Sequence, residues 1–237
     1  MRLLLLLALL SGLGCSRSEA PPMVAAAASL RNAMPALIEG FGQPVAVTYG
    51  GSGTLRQQVE GGAPIDAVIF AAPDPVDDLI SKGLADSSTR VRLATNDLVL
   101  ITPSSSSAFT WNTLASLPPG EKLALGEPGA VPAGRYARLA LIELGSWDGL
   151  QDRIVFAGDV GAVLAYARRG EVAVAAVYAT DVRGIDDVVV VDRWTGSPKP
   201  EIVGAAIRED ARARAFLQYV ASPAGAAILS QFGFGPG

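Results

Sequence analysis

The chain has 237 residues, half of them apolar, which is enough for one large or two small domains with real cores. Its formal charge of −4 comes without any basic run, and this argues against nucleic acid as a partner. Histidine is absent and cysteine occurs once, at Cys15, so histidine bases and metal ligands, intrachain disulfides and cysteine clusters are excluded.

Residues 1–14 read as an export signal. Arg2 supplies a minimal positive start, Leu3 to Leu10 is apolar, and small residues follow from Ser11 to Gly14. The apolar run is too short to span a bilayer. Leu13-Gly14-Cys15-Ser16 resembles the lipobox of bacterial lipoproteins, which would make Cys15 the lipidated N-terminus and residues 15–22 a tether. Gly12 stands where that pattern usually has leucine, and ordinary cleavage near Ser16 to Ala20 is the alternative.

Met23 to Ala28 reads as a buried strand. The helix after it has apolar residues at 30, 34, 37, 38 and 41, with Ser29 at its N-cap and Pro35 as a source of kinking. Next, Pro44 to Tyr49 reads as a strand running into Gly50-Gly51-Ser52-Gly53-Thr54 and a helix to Glu60. Glycines 50, 51 and 53 allow close backbone approach, and Ser52 is placed either to cap the helix or to hold an anion at its start. Asp66 to Phe70 is a strand, and Pro75 to Lys82 a helix stopped by Gly83.

Asp97 to Thr102 is a strand, Ser104 to Ser107 a loop, and Lys122 to Gly126 a further strand. It leads to a helix ending at Leu144, with Pro132 at the first helical position. Arg153 to Ala157 is a strand, and Asp159 caps a helix from Val160 to Arg169. Val172 to Tyr178 is apolar throughout, as a central parallel strand should be. Val188 to Asp192 and Glu201 to Ile207 are strands, with a loop around Ser197 to Pro200 between them; helices over 209–220 and 223–232 close the chain. This alternation predicts an α/β fold with mostly parallel sheets, which bind ligands where strands end and helices begin.

Catalysis is the weaker class of function. Thr54 stands where a nucleophile elbow around Ser52 needs glycine, no histidine can act as base, and no Ser-x-x-Lys or phosphate-binding Gly-x-x-x-x-Gly-Lys loop is present. Asp66, Asp74, Asp97 and Asp159 leave a carboxylate mechanism open, and an exported enzyme of that kind is the alternative reading. Binding has a physical basis. Helix starts near Ser29, Ser52, Val131 to Gly134, and Val160 would surround an anion with donors and partial positive charge. Five to seven charge-assisted hydrogen bonds would supply on the order of 10–15 kcal/mol gross, so micromolar or tighter affinity is reachable after ordering costs.

In order along the chain stand Ala26 to Leu30, Gly51 to Leu55, Gly62 to Asp66, Leu93 to Ile101, Val131 to Ala137, Asp159 to Ala165, Val177 to Asp181 and Phe232 to Phe234. Together these resemble the periplasmic molybdate-binding proteins of ABC importers, over nearly the whole mature chain. Ala25 departs from the aromatic common in that family. The resemblance implies a two-lobed periplasmic-binding-protein-like fold with the ligand cleft between lobes, residues 23–97 plus 199–237 forming one lobe and 98–198 the other, and a hinge that closes on the ion. It implies oxyanion contacts from Ser29 and Ser52 in the first lobe, and from the Ala133 and Val160 amides and the Tyr178 hydroxyl in the second. It also implies no cofactor, no catalysis, and molybdate or tungstate as cargo, with sulfate or another small anion as the alternative. The expected partners are a permease and its ATPase, with a monomer held at the membrane only through lipid at Cys15. Every implied contact is a neutral donor, which suits a fully ionised tetrahedral dianion better than one that keeps a proton.

Overall fold

In the computed structural model, residues 20–103 and 109–237 are described; the export signal, Cys15 and the Ser104–Ser107 loop lie outside them. β1 (Met23–Ala27) leads through a 3₁₀ turn, Ala28–Leu30, to α1 (Met34–Phe41). Then follow β2 (Ala46–Gly50), α2 (Ser52–Glu60), β3 (Ala67–Phe70), α3 (Pro73–Ser81) and β4 (Val91–Thr95). The middle of the chain holds β5 (Leu98–Pro103), β6 (Leu123–Gly126), α4 (Pro132–Glu143), the single turn α5 (Trp147–Leu150), β7 (Ile154–Ala157), α6 (Val160–Arg168), β8 (Val174–Tyr178) and β9 (Val188–Arg193). β10 (Glu201–Ala206), α7 (Ala211–Ala221) and α8 (Pro223–Gln231) complete it.

Two five-stranded sheets result, in the orders β2-β1-β3-β10-β4 and β7-β6-β8-β5-β9. In each, four strands point the same way and one is reversed: β10 runs antiparallel to both β3 and β4, and β5 to both β8 and β9. The reversed strands are the ones the chain enters just after crossing between sheets. Helices flank the sheets, giving a two-lobed α/β fold. β1, β3 and β8 lie inside their sheets and are wholly apolar, because strands with both faces covered have no side left for polar residues. In β5, Val99, Leu100 and Ile101 are fully buried, each contributing about 1.5–3 kcal/mol of transfer free energy.

The outward passage between sheets is only Asn96 and Asp97; the return runs from Trp194 to Pro200. The two are tied together where Asn96 donates its amide to the carbonyl of Pro200 at 2.9 Å. The buried Asn96 side chain also donates to Thr180 Oγ1 at 2.9 Å, joining the passage to the second lobe. Asp97 to Thr102, read as a strand, is almost entirely β5. The C-terminus returns to the first sheet, where Gly235 pairs with Thr95.

Three local expectations need correction. Ser29 is not the N-cap of a helix: it lies inside the 3₁₀ turn, and α1 begins only at Met34. Pro35 therefore sits in the first turn of α1, where its missing N–H costs nothing, and causes no kink. Ser52 is not a cap either. Gly51 occupies that position in extended conformation, and Ser52 is the first helical residue with its hydroxyl turned elsewhere. Strand β4 was not anticipated; its register of buried Leu93 beside exposed Arg92 is a short edge-strand pattern. Pro132 and Asp159 behave as expected, Asp159 accepting from the amide of Ala162 at 2.9 Å.

Candidate functional site

Each parallel strand ends at the cleft between the lobes, and each hands the chain to a turn or helix start. β1 ends one residue before Ala28, so Ser29 lies at the strand's carboxyl end. β2 ends at Gly50 and places Ser52 at the start of α2; β3 ends at Phe70 and places Ala71. Across the cleft, β6 and β7 lead to the starts of α4 and α6, which present Ala133 and Val160, and β8 ends on Tyr178. These placements follow the general rule for open α/β sheets.

All five residues expected at the site line one small space: Ser29, Ser52, Ala133, Val160 and Tyr178, with Ala71 among them. It has room for a single small species. Among the described residues no Asp, Glu, Lys or Arg lines it. The amides of Ser52, Ala133 and Val160 lie in first helical turns, where N–H groups have no partner within the helix, and three helix dipoles add partial positive charge.

The hydroxyls differ in their engagement. Ser29 Oγ is buried and has no hydrogen-bond partner among the described residues. Burying such a group unsatisfied costs about 1–3 kcal/mol, so its presence needs a reason. Ser52 Oγ accepts the Ala71 amide at 3.1 Å, which orients it and leaves its own proton for another acceptor. Tyr178 Oη reaches the carbonyl of Ala71 at 3.4 Å, a long bond made across the cleft. Burial, reinforced by Tyr136 and Asp181, pushes the Tyr178 phenol well above its ordinary range, so it stays a neutral donor.

Behind Tyr178 lies Asp181, which accepts the Tyr178 amide at 2.9 Å. The residue is partly exposed but its carboxyl is turned inward. Burial pushes it up to about 7, against the lowering effect of that amide and with help from Asp159. At the rim, Arg135 of α4 pairs with Asp74 of α3, an ion pair between lobes.

Ala71 was missed by sequence reasoning. A signal was available: like Ser29 and Ser52, it follows a parallel strand of the first sheet at its carboxyl end. It has no side-chain function and works through its backbone, so residue type could not reveal it. The carboxylates that kept an enzyme reading open are engaged elsewhere. Asp66 accepts the Met23 amide at 2.7 Å, Asp97 pairs with Arg193 at 3.0 Å, Asp74 is in the rim ion pair, and Asp159 is a helix cap. Among the described residues no group of three or more Cys, Asp or Glu is gathered as a metal site would need.

The sequence profile of the bacterial extracellular solute-binding proteins matches residues 22–235. The molybdate-binding protein ModA of Escherichia coli is 35% identical over 227 residues, spanning 89% of this chain and 87% of its own length. A Bacillus subtilis protein described as a putative ABC transporter substrate-binding lipoprotein is 30% identical, over 89% of this chain and 85% of its own. Among solved structures, the substrate-binding domain of a putative molybdenum ABC transporter from Clostridium difficile superposes with a TM-score of 0.68 at 34% identity, covering 92% of this chain and 99% of that one. With a two-lobed fold, a donor-lined space between the lobes and a match over nearly its whole length, the chain belongs to the bacterial extracellular solute-binding protein family.

Proposed function

We propose that the protein captures molybdate, and tungstate with it, outside the cytoplasm and delivers the ion to an ABC importer. The observation that carries this reading is the Ser29 hydroxyl, buried without a partner among the described residues in a space to which both lobes bring neutral donors. An anion between the lobes would accept from Ser29, from the free proton of Ser52, from Tyr178 in place of its long bond to Ala71, and from the amides of Ala133 and Val160. None of these residues offers a carboxylate to receive a proton from the ligand. A fully ionised tetrahedral dianion is satisfied there; hydrogen phosphate would find no carboxylate for its proton and would have to turn a hydroxyl or carbonyl oxygen to accept it. The similarity to a molybdate-binding protein and to a molybdenum transporter domain supports the choice of ion.

Nothing is done chemically to the ion. The two lobes close on it about the passages at Asn96–Asp97 and Trp194–Pro200, and the closed surface is what a permease with its ATPase would read. The working unit is a monomer, held at the membrane by lipid on Cys15. The lipobox-like sequence and the lipoprotein relative in Bacillus subtilis support that anchor.

Isothermal titration with molybdate, tungstate and sulfate tests the reading. Molybdate at 100 times its dissociation constant should also add about 2.7 kcal/mol of stability in a thermal-shift assay. No heat and no shift with any of the three ions would refute it.

A further inference from the structure

The two glycines that flank Ser52 touch the opposite lobe. The amide of Gly53 donates to the carbonyl of Ala130 at 2.8 Å, directly between α2 and the loop before α4. A Cβ on Gly53 would lie 2.6 Å from Ala130 Cα, 2.8 Å from its carbonyl oxygen and 2.9 Å from that of Gly129. A Cβ on Gly51 would lie 2.9 Å from the carbonyl oxygen of Gly158 and 3.0 Å from that of Ala130. The atoms met at Gly53 all belong to backbone, which cannot swing aside as a side chain can. Neither glycine has positive φ, so their own conformations do not demand glycine. What demands it is the second lobe.

From this geometry we infer that Gly51 and Gly53 form a closure stop, a backbone-to-backbone contact that sets how far the lobes approach and thereby which size of tetrahedral dianion the site favours. The inference rests on the function proposed above and adds the selecting element to it. Ser52 lies between the two contact points, so its hydroxyl and amide are held at a fixed distance from Ala133 and Val160. The lobes cannot shut further to follow a smaller ion. Sulfate, with shorter bonds to oxygen than molybdate, would leave at least one lobe's donors stretched. Selection then comes from a limit on closure rather than from any charged side chain.

Gly53→Ala tests this. Alanine suits the second position of a helix better than glycine, so the ion-free protein should keep or raise its melting temperature. The added Cβ would hold the lobes apart and stretch the donors on the second lobe. Molybdate affinity should fall about a hundredfold, the scale of two weakened charge-assisted hydrogen bonds. Sulfate, whose contacts are already stretched, should lose less, so the ratio of molybdate to sulfate affinity should narrow. Small-angle scattering with molybdate should show a larger radius of gyration than for the wild type with the same ion.

Affinity within twofold of wild type would overturn the inference, as would an equal loss for both ions, which would make the contact part of closure without a part in selection. A lower melting temperature without ion would do so too, by making Gly53 a folding requirement of the first lobe. Failure of the wild type to bind any of these ions would be read in the parent titration, and would count against the proposed function first.

Discussion

Ser29→Ala separates a binding hydroxyl from a structural one, because the two roles predict opposite effects on stability. Ser29 Oγ is buried and makes no hydrogen bond to any of the described residues, so removing it breaks no contact among them. The protein without ion should hold its stability or gain up to about 1 kcal/mol, since a buried unsatisfied hydroxyl carries a penalty of roughly 1–3 kcal/mol that water relieves only in part. Binding should move the other way. A hydrogen bond to a charged group is worth about 1.5–3 kcal/mol, so molybdate affinity should fall by roughly tenfold to 150-fold. Calorimetric titration gives the second quantity, and thermal or urea unfolding without ion gives the first. A variant with unchanged affinity, or one markedly less stable without ion, would refute the reasoning and return Ser29 to the architecture of its turn.

Ser52→Ala should behave differently although it sits in the same space. Its Oγ accepts the buried Ala71 amide, so the substitution orphans that amide and should cost about 1–3 kcal/mol of stability without ion, in addition to weakening molybdate binding by about 1.5–3 kcal/mol; unfolding and titration on one preparation check both. Asp181 predicts a pH dependence. Its carboxyl is raised from an ordinary 3.8 to about 7, so the folded protein keeps a proton that the unfolded chain releases. Its contribution to stability is fully present below about pH 4 and is lost as pH rises to about 7. Between pH 5 and pH 8 the wild type should lose about 2–3 kcal/mol relative to Asp181→Asn, which keeps an acceptor for the Tyr178 amide. Parallel stability curves for the two proteins over that range would show Asp181 to be ordinary.

Much of the site could be read along the chain because its local causes are local. Asp159 caps α6 because its side chain reaches an amide three residues on, and Pro132 begins α4 because its missing N–H is harmless there. The apolar run ending at Tyr178 is a central strand because both its faces are covered. Ser29, Ser52, Ala133, Val160 and Tyr178 could be named together through the ordered motifs, and they do line one space.

Most of the elements, the starts of α4 and α6, and the neutrality of the donors at those starts are legible in the chain alone. Periodicity, capping and the absence of histidine are properties of residue type and near neighbours. What those residues face is set by the folded arrangement of both lobes. Ser52 leaves the cap to Gly51, and its oxygen instead accepts the amide of Ala71, 19 residues further along the chain. The use of Gly51 and Gly53 was likewise invisible, since their requirement comes from carbonyls of Gly129, Ala130 and Gly158 in the other lobe. The orphaned state of Ser29 is a fact about every neighbour at once, and no stretch of sequence contains it.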